Sequence, residues 1–185
     1  MSKSYLVWMS ESEGLGKVHL ITGAGKGKTT AAFGLAMRAA GHGLKVCVIQ
    51  FLKTGETTGE VLCAKKAGGI EVAQFGTGRF VDPKHLAAED RSCAKDALRL
   101  ARDILKEGKC NMLVLDEINV AVSFGLVSSE EVLSLLRSRR KGTEVVLTGR
   151  NAPIEFIEYA DYVSIIESRK NPFDDGQGAR KGVEW

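Results

Sequence analysis

Eight consecutive residues, Gly23-Ala24-Gly25-Lys26-Gly27-Lys28-Thr29-Thr30, combine the types needed to hold a polyphosphate. The glycines let backbone N–H groups turn inward around phosphate oxygens, and a helix beginning just after them adds the positive end of its dipole. Lys28 extends a mobile positive charge onto the phosphates, and the Thr29 hydroxyl is suited to ligate Mg²⁺ (or Mn²⁺), which bridges phosphates in turn. The loop departs from G-x-x-x-x-G-K-[ST] at one position. Thr22 stands where the first glycine falls, so the adjacent Gly23 must absorb the turn. A second element supplies acid. Met112-Leu113-Val114-Leu115-Asp116-Glu117 is an apolar run ending in two carboxylates, the pattern of a Walker B strand, whose acid holds Mg²⁺ directly or through water. Thr29, Asp116 and Glu117 are therefore the candidate metal-holding residues.

These groups work only if a strand delivers the loop and a helix follows it. The pattern meets that condition. Short β-branched runs at 18–22, 45–51, 70–75, 112–115, 143–148 and 162–166 read as strands. Several are apolar at consecutive positions, as strands covered on both faces of a parallel sheet are. Helical periods lie between them at 29–40, 58–67, 87–106 and 129–139. Gly41 offers a stop to the first of these helices. Ala94, Leu98, Ala101 and Leu105 share one face of the third, and Ser-Ser-Glu-Glu opens the fourth as a cap with an acidic first turn. Alternating strands and helices imply a doubly wound α/β fold, a mostly parallel sheet with helices on both faces, of the P-loop NTPase-like, RecA-like kind. Residues 17–185 read as one domain, and residues 1–16 as a flexible leader.

Composition narrows the partners. The 185 residues are 44% apolar and 26% charged, with a formal charge of +3 and 6% aromatics. That balance argues against a nucleic-acid protein, and no apolar run reaches the ~18 residues of a membrane span. Tyr5-Leu6-Val7-Trp8-Met9 is too short for a signal-peptide core and runs into Glu11 and Glu13. A cytoplasmic location is the expectation. Cys47, Cys63, Cys93 and Cys110 lack zinc-like pairing and read as reduced structural thiols. His42 reads as a turn residue, while His19 in a strand and His85 near a helix start show no acid partner in the sequence. Arg137-Ser138-Arg139-Arg140-Lys141 reads as a helix end whose cations complement the dipole. Two polar loops, 53–59 and 76–79, follow strands, where ligands of open α/β sheets bind; plain solvated turns are the other reading.

Beyond the P-loop, the residues resemble one family. Gly23 to Gly34, then Arg38-Ala39-Ala40-Gly41-His42-Gly43 and Gln50-Phe51-Leu52-Lys53, are similar to the P-loop type of ATP:cob(I)alamin adenosyltransferase, the corrinoid adenosyltransferases. Leu115-Asp116-Glu117-Ile118-Asn119, Thr148-Gly149-Arg150-Asn151-Ala152-Pro153, Lys170-Asn171-Pro172-Phe173 and the stretch Gly178 to Trp185 continue the likeness in order. The resemblance implies transfer of the 5′-deoxyadenosyl group of ATP to the cobalt of a reduced corrinoid, with triphosphate leaving whole. It makes Lys28, Thr29 and Glu117 the catalytic groups and adds Arg38 to the ATP-binding residues. It also implies a corrinoid-facing segment at Gly78, Arg79, Phe80 and Val81, a C-terminal lid at about 168–185, a reductase as supplier of the reduced corrinoid, and a homodimer. Two departures stand out: a single aromatic, Phe80, where some members carry a Phe and a Trp, and Asn171 where a histidine is common. Two other readings share the P-loop: a small ATPase or kinase cleaving at the γ-phosphate, with Arg139-Arg140 as lid arginines, and a corrinoid carrier without chemistry.

Overall fold

The computed structural model describes residues 14–55 and 58–184, so residues 1–13 of the expected leader, Glu56 and Thr57 of the first polar loop, and Trp185 lie outside the described residues. Six strands form one sheet: β1 (Val18–Thr22), β2 (Val46–Phe51), β3 (Ile70–Phe75), β4 (Met112–Asp116), β5 (Glu144–Thr148) and β6 (Tyr162–Ile165). Their spatial order is β3-β2-β4-β5-β1-β6, and every pairing is parallel. The mostly parallel expectation is thus met by a wholly parallel sheet.

Consecutive apolar residues are required because both faces are covered. On β2, Cys47, Ile49 and Phe51 point into one core with Leu113 and Leu115 of β4, while Val46 and Val48 point into the other with Val114. Helices α1 (Lys28–Gly41) and α2 (Gly59–Ala67) cover the second face. The first face is covered by α3 (Ala88–Glu107), α4 (Ile118–Ser123), α5 (Ser129–Arg137) and α6 (Ile154–Tyr159). The α3 stripe is buried as its period requires. At α5, Ser128 and Glu131 form a reciprocal capping box. All four thiols are free, with Cys47 and Cys110 in the core.

Some details differ from the sequence reading. The short helices α4 and α6 were not legible, since six residues are too few to show a helical period. The positive φ that ends α1 falls at Gly43 (78°), two residues beyond Gly41, which is still helical. The strand β6 is exposed at all four residues because it is a sheet edge that the described helices leave largely uncovered.

The strand order decides what meets at the C-terminal edge. Strand β5 lies between β1, which delivers the loop, and β4, which delivers the two acids. From β1 the chain crosses through α1 to β2, passing over β5 and β4. The first turn of α1 is thereby carried to the end of β4. Removing a fully buried side chain from β4 should be costly: Leu115→Ala is expected to lower stability by about 2–5 kcal/mol, read as a drop in the urea midpoint with an unchanged m-value.

Candidate functional site

At the tips of four adjacent strands, polar side chains form one row. The register sets Gln50 beside both Gln74 and Asp116, and Leu115 beside Leu147, which brings Thr148 next to Asp116. Gln74 donates to Gln50 Oε1 at 2.8 Å, and Gln50 donates to Asp116 Oδ2 at 2.9 Å. Thr148 and Thr29 donate their hydroxyls to Asp116 Oδ1 at 2.7 and 2.9 Å. Lys53 Nζ, at the end of β2, reaches Asp116 Oδ2 at 2.7 Å and Thr29 Oγ1 at 3.2 Å. Burial alone would push the Asp116 carboxyl up. The Lys53 ammonium and the hydrogen bonds from Lys53, Thr148 and Gln50 outweigh it and hold the group below the usual aspartate range.

Glu117 is the next residue and behaves oppositely. Its backbone is left-handed (φ 63°), a strained conformation pinned by a 3.0 Å hydrogen bond from its N–H to Thr148 Oγ1. Its side chain lines a cleft. Burial, then the neighbouring Asp116 charge, raises its pKa above the usual glutamate value. The two adjacent acids therefore differ: Asp116 is a buried, fully hydrogen-bonded anion, and Glu117 a carboxyl facing the cleft.

The glycine-rich loop closes over the same edge. Thr22 ends β1 with its hydroxyl on Gly149 O at 2.9 Å, and Gly23 takes the turn at φ 104°, as the displaced glycine required. A Cβ at Gly25 would lie 2.6 Å from Glu167 O, and Gly25 N–H donates to Ile166 O at 2.7 Å. These glycines let the loop pass against the segment leaving β6. Lys28 Nζ donates to Gly23 O at 2.8 Å and Gly25 O at 2.6 Å. Burial, and secondarily the Arg150 charge, lowers its pKa from the usual lysine range.

A cleft of about 1150 Å³ opens in front of the loop. Gly25, Lys26, Gly27, Lys28, Thr29 and Thr30 line its floor, Lys53, Glu117 and Arg150 one wall, and residues from 171 to 184 the other. Across it, Lys26 Nζ meets Glu184 Oε1 at 3.2 Å. Hydrogen bonds from the Arg180 side chain and backbone, joined by Lys26, hold Glu184 down at about 2. Asn171, in the position where a histidine was the common residue, caps a 3₁₀ turn (Pro172–Asp175), its Oδ1 accepting from Phe173 N–H at 3.1 Å. Phe173, Val183 and Met37 expose apolar surface to the cleft.

The structure thus brings together Lys28, Thr29, Asp116 and Glu117. Arg38 sits exposed on α1, outside the cleft lining, and the 78–81 segment also lies outside that lining. There Arg79 pairs with Glu89 at 2.6 Å, Phe80 is 95% exposed and Val81 is buried. Gly78 abuts Thr54, which sets this segment behind the 53–59 loop. Sequence reading missed Gln50, Gln74, Thr148 and Arg150 as site residues, and had Lys53 only as the first residue of the polar loop 53–59. A polar residue at or next to the end of a largely apolar strand, as in Val-Cys-Val-Ile-Gln-Phe and Glu-Val-Val-Leu-Thr, was the signal available for two of them. Both histidines without an evident acid have one: His19 pairs with Glu144 at 2.6 Å and His85 with Asp82 at 2.8 Å, neither in the cleft. Arg139 binds Gly16 O beside the start of β1, and Arg140 binds Glu107 O. Arg139 is therefore tied to the end of the sheet opposite the glycine-rich loop, which removes it from the lid role a kinase would require.

The family model of ATP:corrinoid adenosyltransferase BtuR/CobO/CobP matches residues 14–185. The chain belongs to this family. It is 37% identical over 183 residues to a corrinoid adenosyltransferase of Sinorhizobium sp, covering 97% of this chain and 85% of that protein. A corrinoid adenosyltransferase of Escherichia coli K12 is 35% identical over 170 residues, 92% of this chain and 86% of its own. One from Pseudomonas aeruginosa is 36% identical over 165 residues, 89% and 81%. The conformational setting of Glu117 in this family member yields a pH prediction. Its raised pKa means the folded state keeps the proton longer than the unfolded chain, so stability falls as pH rises above the ordinary value of ~4.3. Glu117→Gln should raise the melting temperature at pH 7, with the gain closing as pH falls toward about 4 in thermal melts across that range.

Proposed function

We propose that the protein transfers the 5′-deoxyadenosyl group of ATP to the cobalt of a reduced corrinoid, cob(I)alamin or a precursor, and releases triphosphate. Membership of the adenosyltransferase family supports the activity. The single observation that carries the residue assignment is the convergence of Lys28, Thr29 and Glu117 on one cleft beside the buried Asp116. In this reading Gly23, Ala24, Gly25, Lys26, Gly27, Lys28, Thr29 and Thr30 cradle the triphosphate, and Arg38, in the last turn of α1, is assigned to ATP on the family resemblance alone. Lys28 lies across two loop carbonyls, from which it turns onto phosphate oxygens as they enter.

The bond broken is C5′–O of the ribose, so the triphosphate leaves with its full charge. Positive groups and N–H donors fixed at the leaving group stabilise that charge as it develops. Thr29, Asp116 and Glu117 are the residues that would hold Mg²⁺ (or Mn²⁺). They fit it: a hydroxyl, a buried anion and a carboxyl facing the cleft, all hard oxygen donors. A divalent cation bound there supplies further neutralisation of the phosphates. The reduced cobalt brings its own electron pair, so no protein base is required; His19, His42 and His85 all lie outside the cleft lining.

The 168–185 segment serves as a lid, which the Lys26–Glu184 contact supports. Gly78, Arg79, Phe80 and Val81 are assigned to the corrinoid, with the exposed Phe80 ring as the group presented. A reductase supplying the reduced corrinoid, a homodimer and a cytoplasmic location complete the reading, on the family resemblance. Among the described residues no helix is long and apolar enough to cross a membrane.

The deciding experiment is anaerobic. Protein, Mg·ATP and chemically reduced cob(I)alamin should give a light-sensitive alkylcobalamin spectrum and stoichiometric triphosphate. ADP with unchanged cobalt would replace this reading with an ATPase or kinase. In the same assay Lys28→Ala should lose on the order of 2–4 kcal/mol of transition-state stabilisation, and a wild-type rate would remove the loop from the mechanism. Phe80→Ala should slow turnover begun from cob(II)alamin plus reductant; unchanged turnover from both cobalt states would withdraw the corrinoid-facing assignment.

A further inference from the structure

Of the three residues assigned to a metal, two have an oxygen in contact with Lys53 Nζ: Thr29 Oγ1 at 3.2 Å and Asp116 Oδ2 at 2.7 Å. A carboxylate offers about four lone-pair positions, and Asp116 has four donors: Thr29 and Thr148 on Oδ1, Gln50 and Lys53 on Oδ2. A metal ion that reaches this carboxylate must displace one of them. Gln50 and Thr148 are fully buried, whereas the Lys53 side chain is 28% exposed on a flexible stem. Its ammonium also repels a divalent ion sharing those oxygens.

The backbone beneath Lys53 cannot follow. Leu52 is left-handed at φ 61° with its N–H on Phe75 O at 2.8 Å, and a Cβ on Gly76 would lie 2.6 Å from Lys53 N. Only the side chain is free to move, and it lines the same cleft as Lys28 and Thr29, where a triphosphate would offer new oxygens to it.

We propose that Lys53 is the protein's own cation at the metal position, so that a divalent ion enters only together with the triphosphate that draws Lys53 away. This rests on the reading of Thr29 and Asp116 as metal-holding groups. It makes Lys53 a positioning residue that couples metal to nucleotide, and the coupling is reciprocal: each ligand strengthens the other by the same factor. An arriving metal takes over the neutralisation of Asp116 that the departing ammonium gives up, so the buried carboxylate is never left unpaired.

Mn²⁺ binding followed by electron paramagnetic resonance tests this without turnover. Wild-type protein should bind Mn²⁺ at least about tenfold more tightly with the β,γ-imido analogue of ATP than alone, beyond the metal bound by free nucleotide. Lys53→Met, which keeps length and removes charge, should bind Mn²⁺ alone at least about tenfold more tightly than wild type, while Lys53→Arg should stay weak. Wild-type protein that binds Mn²⁺ equally well alone overturns the proposal, whether or not the variants fold. So does a folded Lys53→Met protein that gains no Mn²⁺ affinity. Mn²⁺ bound to protein under no condition overturns the metal site itself and this inference with it, which separates the two failures.

Discussion

The cost of placing one carboxylate out of water organises the functional edge of this protein. Asp116 has no exposed surface, and a buried anion without partners would take up a proton or destabilise the fold. Four donors prevent that, and they come from three elements, β2 with its following turn, α1 and β5, while Gln74 of β3 holds Gln50 in turn. Each donor is thereby fixed relative to the others. The parallel register places Gln50 and Thr148, and the crossover of α1 above β4 places Thr29. A single desolvated charge thus ties the end of the Walker B strand to the start of the loop helix.

A second constraint comes from backbone proximity. The glycine-rich loop runs against Ile166 and Glu167 so closely that side chains at Gly23 and Gly25 have no room. The loop and the segment following β6 are therefore one unit, and the remaining tail is directed along the cleft, where Glu184 reaches Lys26. Backbone strain gathers at the same edge. Leu52, Glu117 and Asn151, the three non-glycine residues with positive φ among those described, each follow the end of a strand in the sheet. Such conformations persist where surrounding hydrogen bonds over-determine them, as the contacts of Leu52 and Glu117 do.

The cleft that results is mixed in character. Its floor is polar and cationic, suited to a polyphosphate, whereas Phe33, Met37, Phe173 and Val183 give it apolar surface. Hydrolysis of a phosphoanhydride needs a positioned water at the floor. A transfer from C5′ needs a leaving group held firmly, and the polar, cationic floor is suited to that.

Several features were determined by sequence alone. Strand runs apolar at consecutive positions are those of a sheet covered on both faces, as β2, β4 and β5 are, and this made the doubly wound parallel architecture legible. Gly-Lys-Thr-Thr after a strand, and Asp-Glu after another, carry their chemistry in local spacing, because loop and helix dipole are local objects. Tertiary structure decided what depends on register and crossover. Nothing local in Gln50, Thr148 or Lys53 relates them to Asp116, since they lie 66, 32 and 63 residues away. Nor could residue types separate the two acids: Asp116 and Glu117 are neighbours of like charge. Only the direction in which each side chain leaves the strand end makes one a buried hydrogen-bonded anion and the other a carboxyl turned to the cleft.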